Sequence, residues 1–157
     1  MVFKSPRKVI PTLPNLVLGD DIIEKVDCFK YLGVHLDPSL SWDRHIQMVA
    51  SKMSSMCGIL SRISSFLPRK ALLQFYFAHI HSHLTYVITS WGRACKSKLK
   101  KLQTIQNRCL KIIFKLPLLY SSNRLYSDSP HNILPVIGLC DEQTLLLVHK
   151  VLHCPAT

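Results

Sequence analysis

Two adjacent carboxylates are the first residues in this chain whose types could do chemistry. Asp20 and Asp21 lie between two apolar segments. Nucleotidyl transfer needs carboxylates that hold two Mg²⁺ ions about 4 Å apart. The usual catalytic pair follows an aromatic residue two positions earlier, where this chain has Leu18, and no third carboxylate is well placed. Gly19-Asp20 is ordinary hairpin-turn chemistry, so we interpret the pair as a polar turn.

Histidines and cysteines offer a second kind of chemistry, metal binding. His79, His81 and His83 alternate, and on a helix only His79 and His83 would be neighbours. A looser set near the C-terminus consists of Cys140, His149, His153 and Cys154. Zinc ligands normally show tighter paired spacing, so we expect no metal in this chain. The chain also has no Gly-rich phosphate loop and no nucleophile elbow.

Composition narrows the class of protein. The chain has 157 residues, 48% of them hydrophobic, and six cysteines without a CxxC pair. This composition excludes a disordered chain and predicts reduced, mostly core-filling cysteines. No apolar run is long enough for a membrane span, and the N-terminus lacks the apolar stretch of a signal peptide. We therefore expect an intracellular protein.

Positive charge is concentrated in one part of the chain. The formal net charge is +11. Residues 1–40 are neutral overall, whereas residues 93–126 contain nine basic and no acidic side chains. A helix face that is merely solvated does not need so many basic side chains without any acidic ones. Such a cluster favours binding to nucleic acid, because each contact between a cation and a phosphate releases condensed counterions. The distribution favours a polyanionic partner such as nucleic acid.

The N-terminal 40 residues show strand and turn patterns. Val9–Pro14 is predicted to be extended, because each proline disfavours helix in the residue before it. Gly19–Asp21 predicts a hairpin turn. Cys28–Leu36 is the strongest strand pattern, and Gly33 within it indicates a bulge or a close approach of another backbone. Asp37-Pro38-Ser39 is expected to end that strand in a turn.

The remaining chain reads as helices. Ser41 is a candidate N-cap, and apolar residues at helical spacing then form one stripe: Ile46, Val49, Met53, Met56, Leu60 and Ile63. Leu67-Pro68 ends this helix, and residues 71–91 are apolar on nearly every side, as in a central helix. The proline-containing residues 117–137 predict a loop, and a last helix is expected after Gly138.

The basic window falls on a third predicted helix, residues 97–116. At 100° per residue the apolar residues share one side: Leu99, Leu102, Ile105, Cys109, Ile112, Ile113 and Leu116. The cations share a neighbouring, separate side: Lys100, Lys101, Arg108, Lys111 and Lys115. The positive charge is therefore predicted to form a stripe that could follow a phosphate backbone.

Four blocks of the chain resemble, in order, the reverse transcriptases of non-LTR (LINE, jockey/CR1-like) retrotransposons. The first is Phe29-Lys30-Tyr31-Leu32-Gly33-Val34-His35-Leu36-Asp37, followed by Leu40-Ser41-Trp42 and His45-Ile46. The others are Tyr76 to Ile80 with Leu84-Thr85-Tyr86 and Trp91-Gly92, then Leu102-Gln103 with Ile105 to Arg108 and Ile112-Ile113, and finally Leu134-Pro135 to Leu139 with the last helix.

The resemblance implies an α+β, mainly α fold, in which a short N-terminal β-hairpin region precedes about four helices. Residues 1–40 resemble the end of the palm, with Tyr31-Leu32-Gly33-Val34 matching its primer-grip hairpin. Residues 41–116 resemble the thumb, and residues 117–157 a loop and the start of the connector. The family's catalytic aspartates lie upstream of the matching segment. We therefore expect a fragment of an RNA-directed DNA polymerase that is inactive alone and has no cofactor of its own, although the parent family uses Mg²⁺.

The implied partners are an RNA–DNA or DNA template–primer duplex and the palm and fingers of the same polyprotein, within an intracellular ribonucleoprotein in the nucleus or cytoplasm. The candidate nucleic-acid-binding residues are Tyr31, Leu32, Gly33, Lys98, Lys100, Lys101, Arg108, Lys111 and Lys115. The alternative is a co-opted basic helical module that binds an acidic protein or an anionic membrane surface. An enzyme that uses Asp20, Asp21 or the histidines as metal ligands is a third hypothesis.

Overall fold

The computed structural model describes residues 1–5, 7, 16–127 and 132–153. The chain divides into two units, Met1–His45 and Ile46–Thr157, and each is described by itself. The predicted extended segment Val9–Pro14 lies outside the described residues, as do Pro130 and Cys154.

The first unit begins with a minimal hairpin. Strands β1 (Val17–Leu18) and β2 (Asp21–Ile22) pair antiparallel, with Leu18 opposite Asp21. Gly19 has φ of +64°, as the first loop residue of a two-residue type II′ turn requires. The predicted turn is therefore confirmed, and Asp20 belongs to it.

The prediction of one strand over Cys28–Leu36 is wrong. The segment is a second hairpin, in which β3 (Phe29–Tyr31) pairs antiparallel with β4 (Val34–Leu36). Leu32 and Gly33 form its turn with φ of +45° and +81°, the two positive values of a type I′ turn. Leucine pays a steric cost in the left-handed region, which is why the sequence pattern did not indicate a turn there.

One carboxylate organises the segment that follows β4. Asp37 accepts hydrogen bonds from the backbone N–H groups of Ser39 (3.1 Å), Ser41 (3.0 Å) and Trp42 (3.1 Å). The hydroxyls of Ser39 (2.7 Å) and Ser41 (3.1 Å) also donate to it. Burial alone would raise the pKa of Asp37, but these hydrogen bonds outweigh burial and lower the pKa to about 2.

The same carboxylate supports the entry into the first helix. Leu40 and Trp42 both have left-handed backbone conformations, with φ of +51° and +63°. The helix α1 (Asp43–Ile63) then begins one residue later, and the Ser41 hydroxyl accepts the Asp43 N–H at 3.4 Å. The predicted N-cap at Ser41 therefore makes only a long capping contact, and Asp37 satisfies most of the donors before the helix.

Helix α1 buries the stripe that its spacing predicts. Ile46, Val49, Met53 and Leu60 are buried, whereas Met56 and Ile63 are half-buried. Cys57 and Ala50 extend the buried face. The hydrophobic period of α1 is therefore confirmed.

The predicted central helix over residues 71–91 is interrupted. Helix α2 (Arg69–Tyr76) continues through a π-helical turn (Phe77–His81) into α3 (Ser82–Thr85), and α4 (Ile88–Trp91) follows a break. Val87 has φ of +50°, and the Tyr86 carbonyl accepts the Trp91 indole N–H at 2.9 Å. No glycine or proline marks this break, so the sequence pattern did not predict it.

The third predicted helix is α5 (Lys96–Ile113), which ends three residues before residue 116. Its end is a Schellman motif: the N–H of Lys115 donates to the Ile112 carbonyl and the N–H of Leu116 to the Lys111 carbonyl. Lys115 adopts the left-handed conformation, with φ of +53°, that the motif requires.

The loop predicted over residues 117–137 is wrong in two places. A short helix, α6 (Ser122–Ser127), lies within it, and α7 (Val136–His153) begins two residues before Gly138. Pro135 directly precedes α7, and its carbonyl accepts the Leu139 N–H. Proline is tolerated at a helix start because the N–H that it lacks would have no partner within the helix. The α+β, mainly α class is confirmed. None of the helices in the described ranges is both long and apolar enough to cross a membrane.

Most of the described cysteines are buried in the core, as predicted. Among the five cysteines that the structure describes, Cys57, Cys109 and Cys140 are buried, Cys28 is half-buried and Cys95 is exposed. A hydrogen bond to Cys57 and burial raise the pKa of the Cys109 thiol, so that thiol stays protonated at neutral pH.

Gly92 packs where no side chain would fit. A Cβ atom at this position would meet the Ile88 carbonyl oxygen at 2.5 Å and the Cys140 Sγ at 2.8 Å.

Since Ile88 lies on α4 and Cys140 on α7, we expect Gly92→Ala to push these helices apart and destabilise the protein by about 2 kcal/mol. Gly58, in the exposed face of α1 with open space around it, is the matched control. Gly58→Ala should be neutral or stabilise by about 0.5–1 kcal/mol in the same urea titration. Equal effects of the two substitutions would contradict the close approach.

Protonation of Asp37 should loosen the turn before α1. Its pKa of about 2 in the folded chain lies below the ordinary value of 3.8, so its contribution is complete above pH 4 and is lost as pH falls toward 2. We expect the N–H groups of Ser41 and Trp42 to exchange progressively faster below pH 4, after correction for intrinsic rates. Asp37→Asn should show fast exchange already at pH 7. Protection that does not depend on pH would exclude this role for the carboxylate.

Candidate nucleic-acid interface

Helix α5 presents two chemically different sides. Its buried side consists of Leu99, Leu102, Gln106, Cys109, Leu110 and Ile113. At 100° per residue, four cations lie within about 100° of one another on the opposite side: Lys100, Lys101, Arg108 and Lys111. The first three are exposed and Lys111 is half-buried. We call these four residues the α5 stripe.

The other two candidate lysines lie apart from the stripe. Lys98 is half-buried and lies about 160° around the helix from Lys100. Lys115 is exposed in the left-handed residue beyond the helix end. Within the stripe, the Lys111 ammonium donates to the Leu118 carbonyl at 2.6 Å, which holds it near the surface of the following loop.

Few negative charges oppose the stripe. The sequence contains no Asp or Glu between Asp43 and Asp128. Arg93 pairs with Asp141 at 3.2 Å, and both side chains are largely exposed, so this pair contributes little to stability. The field of the α5 stripe is therefore left for solvent ions or an external polyanion to neutralise.

Two histidines of the helical unit, His81 and His83, add little positive charge at neutral pH. Burial lowers the pKa of His81 and His83, and in His83 the charges of Lys52 and His79 lower the pKa further. The His79 ring lies 4.7 Å from that of Phe75, and the His81 ring 5.2 Å from that of Phe77. Across the described ranges no three His, Cys, Asp or Glu side chains are grouped closely enough to hold a metal ion.

The second candidate surface lies in the first unit, at the tip of the β3–β4 hairpin. Tyr31 and Leu32 are 58% and 72% exposed, and Gly33 is also exposed. Phe29 lies on the same face of the strand, with its ring 6.5 Å from that of Tyr31. Val34 alone is buried here. The tip thus presents apolar side chains and a left-handed glycine, which any partner backbone could approach closely.

A buried amide network, which no motif in the sequence predicted, holds α5 in place. The Gln106 side chain is fully buried, and its NH₂ group donates to the Tyr76 hydroxyl at 3.0 Å and to the Leu134 carbonyl at 2.9 Å. The Tyr126 hydroxyl lies 3.1 Å from Gln106 Oε1. Burial raises the pKa of Tyr76 and Tyr126, so both hydroxyls are protonated at neutral pH.

Two further amides complete the network. Gln103 Oε1 accepts the N–H of Val136, the first residue of α7, at 2.8 Å. Asn107 donates to the Ser122 hydroxyl on α6 at 3.1 Å, and its Oδ1 lies 2.6 Å from the Tyr126 hydroxyl. Polar residues at the helical spacings 103, 106 and 107 beside a buried stripe were the available signal for this network. Gln106 lies on the side of α5 opposite the α5 stripe, whereas Asn107 lies within about 20° of Lys100, at the edge of the stripe.

The comparisons with known proteins agree with the resemblance argued from the residues. The chain is 27% identical over 126 residues to a probable RNA-directed DNA polymerase from transposon BS of Drosophila melanogaster, a match that covers 78% of the chain and 14% of the relative. It is 25% identical over 122 residues to the corresponding probable enzyme from transposon X-element, with 74% and 13% covered. It is 28% identical over 109 residues to the RNA-directed DNA polymerase from mobile element jockey, with 66% and 12% covered.

These relatives confirm the similarity to non-LTR retrotransposon reverse transcriptases. The matches span 12–14% of the length of these curated relatives. No family model and no solved structure matches the chain.

Replacing the buried amide of Gln106 by an apolar side chain of similar size should lower the free energy of unfolding, because its hydrogen bonds are lost. We expect Gln106→Leu to destabilise the protein by about 2 kcal/mol, because the Leu134 carbonyl and the Tyr76 hydroxyl would lose a buried partner. Gln47→Leu, on the exposed face of α1, is the control and should change stability by less than about 0.5 kcal/mol. Both values can be measured by urea unfolding at pH 7, and a neutral Gln106→Leu would show that the network does not hold α5.

Proposed function

We propose that this chain is a segment of a non-LTR retrotransposon reverse transcriptase that binds the template–primer duplex. In this proposal the helical unit acts as the thumb and the β3–β4 hairpin as the primer grip. The observation that carries it is the α5 stripe: four cations on the outward side of one helix, within a stretch free of acidic residues. The similarity to RNA-directed DNA polymerases supplies the ligand class.

The stripe suits a phosphate backbone better than a base edge. Lys100 and Lys111 are separated along the helix by about 16 Å, so the stripe can follow successive phosphates of one strand. Cations that contact phosphates give affinity without sequence preference, and an RNA–DNA hybrid is recognised by its shape and backbone. The chain would therefore bind any template–primer of suitable geometry.

The hairpin supports the second part of the proposal. At its tip, Gly33 allows a sugar–phosphate chain to approach the backbone, and Tyr31 and Leu32 offer apolar contact to a terminal nucleotide. These residues would position the primer end for catalytic aspartates and Mg²⁺ supplied elsewhere in the polyprotein. The chain itself is proposed to have no polymerase activity.

The exposed apolar surfaces support a place within a larger polypeptide. In the first unit Leu16, Leu18 and Ile22 are each more than 60% exposed. In the second, Leu145, Val151 and Leu152 on α7 are 67–70% exposed. Such surfaces normally pack against protein, and we propose the palm, fingers and connector of the same polyprotein as their partners, within an intracellular ribonucleoprotein.

Charge reversal on the α5 stripe tests the nucleic-acid proposal. We expect the quadruple substitution of Lys100, Lys101, Arg108 and Lys111 by Glu to weaken binding to an RNA–DNA hybrid by about 100-fold or more, because four phosphate contacts are lost. Each single change to Ala should reduce the slope of log K against log salt by about 1. Fluorescence anisotropy with a labelled 16-base-pair hybrid measures both effects.

A matched control separates the stripe from net charge. Lys25, Arg44, Lys52 and Arg62 are exposed, and changing all four to Glu alters the net charge by the same amount. This variant should keep most of the affinity, and a loss equal to that of the stripe variant would contradict the proposal. Co-sedimentation with anionic vesicles at matched salt is the second arm, and binding to vesicles but not to the hybrid would favour the interaction-module alternative.

A further inference from the structure

A second cationic surface of the helical unit lies on α2, apart from the α5 stripe and the β3–β4 hairpin. Arg69 and Lys70, both exposed, form its first turn. A hollow of about 470 Å³ extends along the helix from these residues and is lined by Arg69, Lys70, Leu73, Gln74 and Phe77. We call it the α2 hollow. Residues 69, 73 and 77 are one turn apart, so it extends over about 12 Å.

The hollow adjoins the C-terminal end of α5. The Arg69 guanidinium lies 5.7 Å from the centre of the Phe114 ring, a cation–π contact. Phe114 follows the last residue of α5 and precedes Lys115. The positive charge of α5 and Lys115 is therefore continued by Arg69 onto α2, within the same unit.

The other end of the hollow is aromatic. Phe77 is 39% exposed and begins the π-helical turn. Its neighbour His81 contacts the ring edge-on at 5.2 Å, and Leu73 beneath is buried. Gln74, which is exposed between the two ends, can donate or accept hydrogen bonds. A cation pair, an amide and an exposed ring thus follow one another along a single groove.

We propose that the α2 hollow binds an unpaired nucleotide of a single strand that leaves the duplex held by the α5 stripe. Arg69 and Lys70 contact the phosphate, Phe77 stacks on the base, and Gln74 hydrogen-bonds to the base edge. Alternating phosphate contacts and aromatic stacking is how proteins bind single strands without sequence preference. An apolar protein ligand would not use the cations, and a free phosphate would not use the ring. The inference rests on the proposed function, because the stripe supplies the neighbouring duplex.

The test compares three labelled probes: a blunt RNA–DNA hybrid, the same hybrid with a four-nucleotide template overhang, and the overhang sequence alone. We expect the wild-type chain to bind the overhang hybrid about tenfold more tightly than the blunt one, and Phe77→Ala to abolish that advantage without changing affinity for the blunt hybrid. Phe77→Trp should retain it. Arg69→Glu with Lys70→Glu should also remove the advantage and reduce the salt slope for the overhang hybrid by about 1, because one phosphate contact is lost.

Phe66→Ala is the matched control, because Phe66 is 85% exposed and does not line the hollow. Circular dichroism and thermal unfolding show whether each variant is folded. A 2-aminopurine base in the overhang gives a direct readout, since stacking on Phe77 should quench its fluorescence in wild type and in Phe66→Ala but not in Phe77→Ala.

The outcomes separate this inference from the proposed function. Equal wild-type affinity for blunt and overhang hybrids, or an overhang advantage that survives in Phe77→Ala, would overturn the α2 hollow while leaving duplex binding by the α5 stripe intact. Binding of the single strand that depends on Phe77, without binding of the blunt hybrid, would support the hollow and overturn the duplex proposal. No binding of any probe would overturn both.

Discussion

The buried amide of Gln106 determines which side of α5 faces water. Its hydrogen bonds reach α2 through Tyr76, the segment before α7 through Leu134, and α6 through Tyr126. An apolar stripe alone would tolerate small rotations of the helix, whereas directional hydrogen bonds do not. Since a buried amide without partners is costly, any rotation that exposed Gln106 or broke its contacts would be opposed. The outward placement of the α5 stripe follows from this constraint together with the burial of the apolar side of the helix.

The cations of the α5 stripe repel one another, and this repulsion lowers the stability of the folded chain. Cations that lie close together on one face repel one another, and a stretch of chain without acidic residues offers them no intramolecular relief. A bound polyanion would remove that repulsion and stabilise the folded state at the same time. The same residues would therefore link stability to ligand binding. This linkage is consistent with a surface that is kept for function and not for folding.

The spacing of apolar residues predicted the helices whose position depends on burial. It did not predict the turn and the helix break where the backbone conformation of a single residue changes the direction of the chain. The stripes of α1 and α5 and the mainly helical class came from apolar spacing, and the cation stripe followed from the same arithmetic. The turn at Leu32-Gly33 and the break at Val87 both place a bulky residue in the left-handed region, against its intrinsic preference. At the second position a local side-chain contact accompanies the left-handed residue: the Trp91 indole N–H donates to the carbonyl of Tyr86, five residues earlier. The α2 hollow was missed because its residues carry no motif.

Each of the two units contains one tryptophan. Trp42 lies in the half-buried turn after β4 within Met1–His45, and Trp91 is fully buried in Ile46–Thr157. We therefore expect the intrinsic emission to contain two contributions, a redder one from the partly hydrated Trp42 indole and a bluer one from the enclosed Trp91 indole. Replacing either tryptophan by phenylalanine would leave an optical reporter for a single unit. Whether the two units melt together or in succession can then be observed without any added dye.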